Sequence, residues 1–198
     1  MRLIKQLPDY GPIHIFSPTI WKYQYKFDWQ NLEHKVLTSF SQLQHNSLLE
    51  KGNAWSTVGL PANEQPHNWL ELKDFLEWLK ITTTGIAASL YFQKFEFTIT
   101  NSWINKHSAS GETIEHNHNN CSFVASCYLK CPENSGNIVF KDPLEYHKSH
   151  WPIFPEEHLY DEVPVYTFDV LIFPGYLKHF VTPNLSNDDR YVLTVNIL

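Results

Sequence analysis

Glycine is scarce in this chain: seven in 198 residues, scattered among twelve prolines, so no flexible linker is expected. No apolar run reaches the roughly 18–20 residues of a membrane span. The first residues carry Arg2 and Lys5 ahead of Pro8 with no apolar stretch behind them, so no secretory leader is expected either. Charged residues are only 18%, too few for a long coiled coil. Positive charge is in deficit, with a net charge of -6 and a pI near 6.0. Sequence-independent nucleic-acid binding needs a Lys/Arg surplus and is therefore not expected. There are three cysteines, an odd number, and the Cys127–Cys131 spacing suits no common zinc ribbon. The plain reading is free thiols in a reducing cytoplasm. The alternative is a zinc site shared by Cys121, Cys127 or Cys131 with nearby histidines.

What the chain does have is aromatic residues (15%) and hydrophobic residues (42%), enough for a sizeable core and against disorder. Pro12–Thr19 alternates and reads as a strand. Asp28 looks like an N-cap, followed by Leu32, Val36, Leu37, Phe40 and Leu43 at helical spacing to about Gln44. A loop is expected over 52–66. Asn68 is placed to cap a second helix with Trp69, Leu72, Phe75, Leu76 and Leu79 on one stripe, broken near Thr82–Gly85 and resuming through Leu90. From residue 93 the period changes to two, with Phe95, Phe97 and Ile99 alternating with polar residues. The later apolar runs are short: 122–130, 137–140, 163–168, 170–173, 180–182 and 191–197, separated by turn signals. Strands without intervening helices imply an antiparallel sandwich or barrel. The expected fold is mainly β, one domain over 1–198: a strand and covering helices in 1–92, then a jelly-roll core in 93–198.

Most of the eleven histidines sit in no pattern, but Glu115-His116-Asn117-His118-Asn119-Asn120 follows a glycine turn and precedes a strand. If the backbone is extended there, His116 and His118 offer two imidazoles on one face. The competing reading is a polar turn. His179 comes 61 residues after His118, beyond Phe173-Pro174-Gly175. Arg190 then opens the alternating strand 191–196. At the mouth of a mainly apolar strand an arginine needs an anionic partner, unless it is a surface residue beside Asp188 and Asp189.

These residues resemble the iron(II)/2-oxoglutarate-dependent oxygenases, and more closely a branch common in bacteria, cyanobacteria and their phages. The branch has a W-x-N phrase, H-x-H-[PN]-N, a strand ending Y-hydrophobic-x-x-P, an acidic-Pro pair, F-P before a histidine, and an arginine opening a last strand that ends in asparagine. Here they are Trp103-Ile104-Asn105, His116–Asn120, Tyr128–Pro132, Asp142-Pro143, Phe173-Pro174 with His179, and Arg190 with Asn196. The resemblance implies a double-stranded β-helix core. It also implies Fe(II) held by His116, His118 and His179, and 2-oxoglutarate bound by Arg190 with help from Tyr128. Asn105, Asn120 and Asn196 would stand behind the ligands or face substrate. The implied reaction consumes 2-oxoglutarate and oxygen, releases succinate and carbon dioxide, and hydroxylates a further substrate in the cytoplasm of a bacterium or infected host cell. Two departures stand out. The usual H-x-D/E carboxylate is His118, and the small Ser-Gly pair of the next strand is Val124-Ala125. Segment 144–164 could form a lid. The alternatives are a three-His cupin-type dioxygenase that uses no 2-oxo acid, and a metal-binding or structural jelly-roll module without catalysis.

Overall fold

The computed structural model describes residues 18–41, 48–91, 95–148, 150 and 159–198. Most of the expected first strand, the end of the first helix and the middle of the lid segment (149 and 151–158) therefore lie outside the described residues. None of the described helices is long and apolar enough to cross a membrane.

Two antiparallel sheets form the body. Strands β1 (Trp21–Gln24), β2 (Glu50–Lys51) and β3 (Ala54–Ser56) precede β4 (Ile99–His107), β5 (Glu112–His116), β6 (Phe123–Lys130), β7 (Ile138–Lys141), β8 (Tyr160–Val163), β9 (Asp169–Pro174), β10 (His179–Val181) and β11 (Arg190–Ile197). One sheet is ordered β1-β9-β6-β11-β4-β3 and the other β2-β5-β10-β7-β8. From β4 onward the chain passes repeatedly between the sheets. Alternation then sorts side chains by layer. Val124, Tyr128, Leu171, Phe173 and Val192 point between the sheets, where they meet Ile138 and Phe140 of the second sheet. Their neighbours Ala125, Cys127, Ile172, Leu193 and Val195 point the other way, onto the helices.

Helix α1 (Trp29–Ser41) starts as its sequence predicts, with the Asn31 N–H donating to Asp28 Oδ1 at 3.3 Å. Helix α2 (Lys73–Tyr91) differs from expectation at both its start and its middle. Asn68 lies in a 3-10 turn and donates its side-chain amide to Ala62 O, so it caps nothing. No break occurs at 82–85. The Thr83 hydroxyl donates back to Leu79 O, and the Gly85 position faces open space, so the helix runs through at the modest propensity cost of one glycine, about 1 kcal/mol. Its stripe of Phe75, Leu76 and Leu79, continued by Leu72 in the 3-10 turn just before it, is buried against the larger sheet, with Phe75 touching the rings of Tyr25, Phe27 and Trp78.

Two strand readings need correction. The expected loop 52–66 contains β3, paired to β4, and β2 lies just before it. The run 163–168 is mostly a turn. Asp169 accepts from the Tyr166 N–H, and Phe168 takes a left-handed φ of 75°, so the strand ends at Val163.

Candidate metal centre

Three histidines meet between the sheets. His116 ends β5 and His179 opens β10, directly opposite each other in the register. His118 lies beyond the end of β5, so the i, i+2 alternation expected for the pair is not what unites them. Its backbone N–H instead donates to Gly175 O at 2.9 Å, tying the turn to the β9–β10 connection. A Cβ at Gly175 would sit 2.5 Å from Cys121 O and 3.0 Å from His118 O, so only glycine allows this approach. The His116 and His179 ring centres are 4.4 Å apart, and each is 5.2 Å from that of His118.

Each ring has one nitrogen committed. His116 Nδ1 donates to Ile114 O at 2.8 Å, His118 Nδ1 to Asn196 Oδ1 at 2.8 Å, and His179 Nδ1 to Leu177 O at 3.0 Å. These oxygens only accept, so the proton of each neutral ring sits on Nδ1 and Nε2 keeps its lone pair. Burial lowers all three pKa values. His118 is pushed down to about 4 by burial and by neighbouring His116, and His179 falls well below the ordinary 6.5. At neutral pH the cluster is uncharged. One nitrogen from each ring lies within 4.8 Å of the others, and this is the only such group of three His, Cys, Asp or Glu among the described residues. Three oriented, unprotonated imidazole nitrogens suit a first-row divalent cation, and imidazole is a ligand that iron accepts. The cysteines take no part. Cys127 is fully buried with its thiol held protonated, and Cys121 and Cys131 are free.

The rings open on a cavity of about 30 Å³ lined also by Trp103, Asn105, His107, Thr113, Ser126, Tyr128, Val192 and Thr194. Trp103 stacks on His118 at 5.6 Å, and Phe140 and Phe173 hem in His179. The remaining expected site residues divide. Tyr128 and Asn105 line the cavity, and Asn105 Oδ1 is buried with no hydrogen-bond partner. Asn196 holds His118. Asn120 is exposed at a turn with φ 62°, outside the lining. Arg190 is fully buried just behind the lining. Its Nη1 donates to Ser135 O and Gly136 O, its Nη2 to His107 Nδ1, and its Nε has no partner. It is no surface residue. Sequence reading missed His107 and Glu50. The signal for His107 was there: with Trp103 and Asn105 it forms a polar row at period two on one strand.

Residues 101–196 match a family described as "Putative 2OG-Fe(II) oxygenase". The match covers just under half of the chain. The fold of the wider oxygenase group extends over more of the molecule. The carbocyclase SnoK of nogalamycin biosynthesis, a non-haem α-ketoglutarate-dependent enzyme, superposes with a TM-score of 0.62 at 14% identity, covering 91% of this chain and 79% of its own. HygX from Streptomyces hygroscopicus, solved with nickel, 2-oxoglutarate and hygromycin B, gives 0.58 at 13% over 91% and 82%. A Pseudomonas putida prolyl-4-hydroxylase gives 0.55 at 10% over 91% and 92%. At such identities the likeness is one of fold. No curated protein matches the chain by sequence.

Proposed function

We propose that the protein is a non-haem iron(II)- and 2-oxoglutarate-dependent oxygenase with a double-stranded β-helix core, hydroxylating a further substrate and releasing succinate and carbon dioxide. The observation that carries the proposal is the cluster of three imidazoles, each with Nδ1 tied to an oxygen and Nε2 free, inside the segment that matches the oxygenase family. His116, His118 and His179 would hold the metal. Bound there, iron(II) would activate oxygen, the oxidant, with 2-oxoglutarate giving up two electrons as it becomes succinate and carbon dioxide and the further substrate giving up the other two.

The chain's own residues do the positioning. Ile114 O, Leu177 O and Asn196 Oδ1 fix the ring orientations before any ion arrives. Phe140 and Phe173 keep water from the His179 side. With His118 where the wider oxygenase superfamily usually has a carboxylate, a divalent ion would be left uncompensated, which favours a dianionic co-substrate. Arg190, with one buried donor unpartnered, is the cation for its distal carboxylate, and Tyr128 offers a hydroxyl from the same lining. The cavity of about 30 Å³ is small beside a five-carbon acid.

The all-imidazole donor set also favours a second reading, a three-His dioxygenase that needs no 2-oxo acid. One experiment separates the two. The wild-type protein is loaded anaerobically with iron(II), and binding of 2-oxoglutarate and of pyruvate is measured, followed by succinate formation on admitting oxygen. The expected result is preference for 2-oxoglutarate and iron-dependent succinate. Tight metal binding with no such preference and no succinate would overturn the proposal in favour of the second reading.

A further inference from the structure

Behind the cavity lies a buried chain of polar groups drawn from both sheets. The Arg190 guanidinium can only donate, so its 2.8 Å contact to His107 Nδ1 requires a lone pair on that nitrogen. The neutral ring's proton is then on Nε2, which lies 2.9 Å from Glu50 Oε2 and 2.8 Å from Thr113 Oγ1. The Thr113 hydroxyl donates to the same carboxylate oxygen at 2.8 Å. Only one arrangement of hydrogens satisfies every contact. Glu50, His107 and Arg190 have almost no exposed side-chain surface. Glu50 comes from β2 and Thr113 from β5 in one sheet, His107 from β4 and Arg190 from β11 in the other. Ser135 and Gly136 carbonyls clamp the far side of the guanidinium.

We propose that Glu50 and His107 are positioning residues, which hold Arg190 in one orientation with a donor left open for the distal carboxylate of the 2-oxo acid. This rests on the co-substrate reading above. A clamp that only tied the sheets together would leave no donor open, because a buried N–H without an acceptor is costly. Here Arg190 Nε is buried and unpartnered although three of its neighbours' oxygen and nitrogen atoms are engaged by the other two nitrogens. His107 and Thr113 line the same cavity as the three candidate metal ligands, and the braced arginine lies directly behind His107. The negative Glu50 acts on Arg190 through a neutral ring, giving the pair a fixed axis without neutralising the arginine by direct contact.

The test uses the full chain loaded with manganese(II) in the absence of oxygen, and measures dissociation constants for 2-oxoglutarate and for pyruvate, which lacks the distal carboxylate. Glu50→Gln keeps the shape and removes the charge. His107→Phe keeps the ring and removes both nitrogens. His107→Gln restores an acceptor for Arg190 and a donor for Glu50. Glu50→Gln and His107→Phe are expected to weaken 2-oxoglutarate by about tenfold, the effect of one lost charge-assisted bond, and to leave pyruvate unchanged. His107→Gln is expected to restore most of the loss. A purely structural role would move both acids together or neither, and either result overturns the proposal. Should His107→Phe fail to fold, the isosteric Glu50→Gln decides alone. A wild-type protein that prefers 2-oxoglutarate, with variants that keep the preference, sinks this inference only. A wild type with no preference sinks the co-substrate reading and this inference with it.

Discussion

His179 is enclosed by Phe140, Phe173 and the two other candidate ligands, so no neighbouring side chain can take its place. His179→Ala is expected to reduce iron(II) affinity at least a hundredfold, read by anaerobic titration, while the far-ultraviolet circular dichroism stays that of the wild type. Outer contacts are usually worth 10–100-fold in metal affinity, and a ligand should exceed them. An unchanged affinity would remove His179 from the site. At position 118 the comparison of Asp and Ala is informative. Aspartate supplies an anionic oxygen on a shorter side chain and should retain measurable iron affinity, whereas alanine should lose it. Equal loss in both would mark His118 as an imidazole that a carboxylate cannot replace. Arg190 is less convenient to mutate. Removing it leaves the Ser135 and Gly136 carbonyls and His107 Nδ1 without their donor, and each buried acceptor left unsatisfied costs about 1–3 kcal/mol. Arg190→Met should therefore lower the thermal midpoint as well as 2-oxoglutarate affinity, and the two must be measured side by side.

At the scale of elements, the connection between β9 and β10 sets the position of His118 as much as the histidine's own strand does. Gly175→Ala would bring a methyl group into Cys121 and the His118 carbonyl. It should weaken metal binding several-fold with only a small change in secondary structure. Unaltered affinity would show that the turn absorbs the methyl. On the helical side, Phe75→Ala is expected to cost about 3–5 kcal/mol in a denaturant melt, as large-to-small core changes do, because Phe75 is the hub of the ring cluster beneath α2. Elements of this kind were readable in the chain itself. Asp28 and the apolar stripe gave α1, and short apolar runs bounded by turn signals gave β6, β9 and β11 nearly to the residue. What resisted reading were contacts that are short or non-local. β2 and β3 are two and three residues long, below any period that alternation could display. The stop at Val163 depends on Asp169 bonding to Tyr166, which no apolar count reveals. At the candidate site, the histidines could be picked out by spacing and resemblance. The roles of Glu50 and His107 could not, since 57 residues separate them and only sheet-to-sheet packing brings them together.

For the whole molecule, the buried uncharged histidines make stability depend on pH. His107, His116, His118 and His179 all have folded-state pKa values below 6.5, so the unfolded chain binds more protons than the native one as the medium becomes acidic. Their contribution is fully present above pH 6.5 and is lost as the pH falls toward about 4, the His118 value. The metal-free protein should show a thermal midpoint that is flat from pH 8 to 7 and drops steadily below 6.5. A midpoint that rises on acidification would contradict the buried, neutral cluster. Metal bound to the native state should raise the midpoint in proportion to the logarithm of its concentration.

The three Nδ1 hydrogen bonds have a consequence for the heat of metal uptake. Binding to imidazoles ordinarily displaces protons, which the buffer must absorb. Here Ile114, Leu177 and Asn196 have already fixed each proton on the nitrogen facing away from the ion, and the ligating nitrogens are bare at neutral pH. Nothing need leave the rings when the cation arrives. Calorimetric titrations near pH 7.5 in phosphate and in Tris, buffers of very different ionisation enthalpy, should therefore return the same enthalpy once competing buffer–metal complexation is subtracted. A slope against buffer enthalpy equal to one or more protons would mean that at least one ring gives up a proton to take the metal.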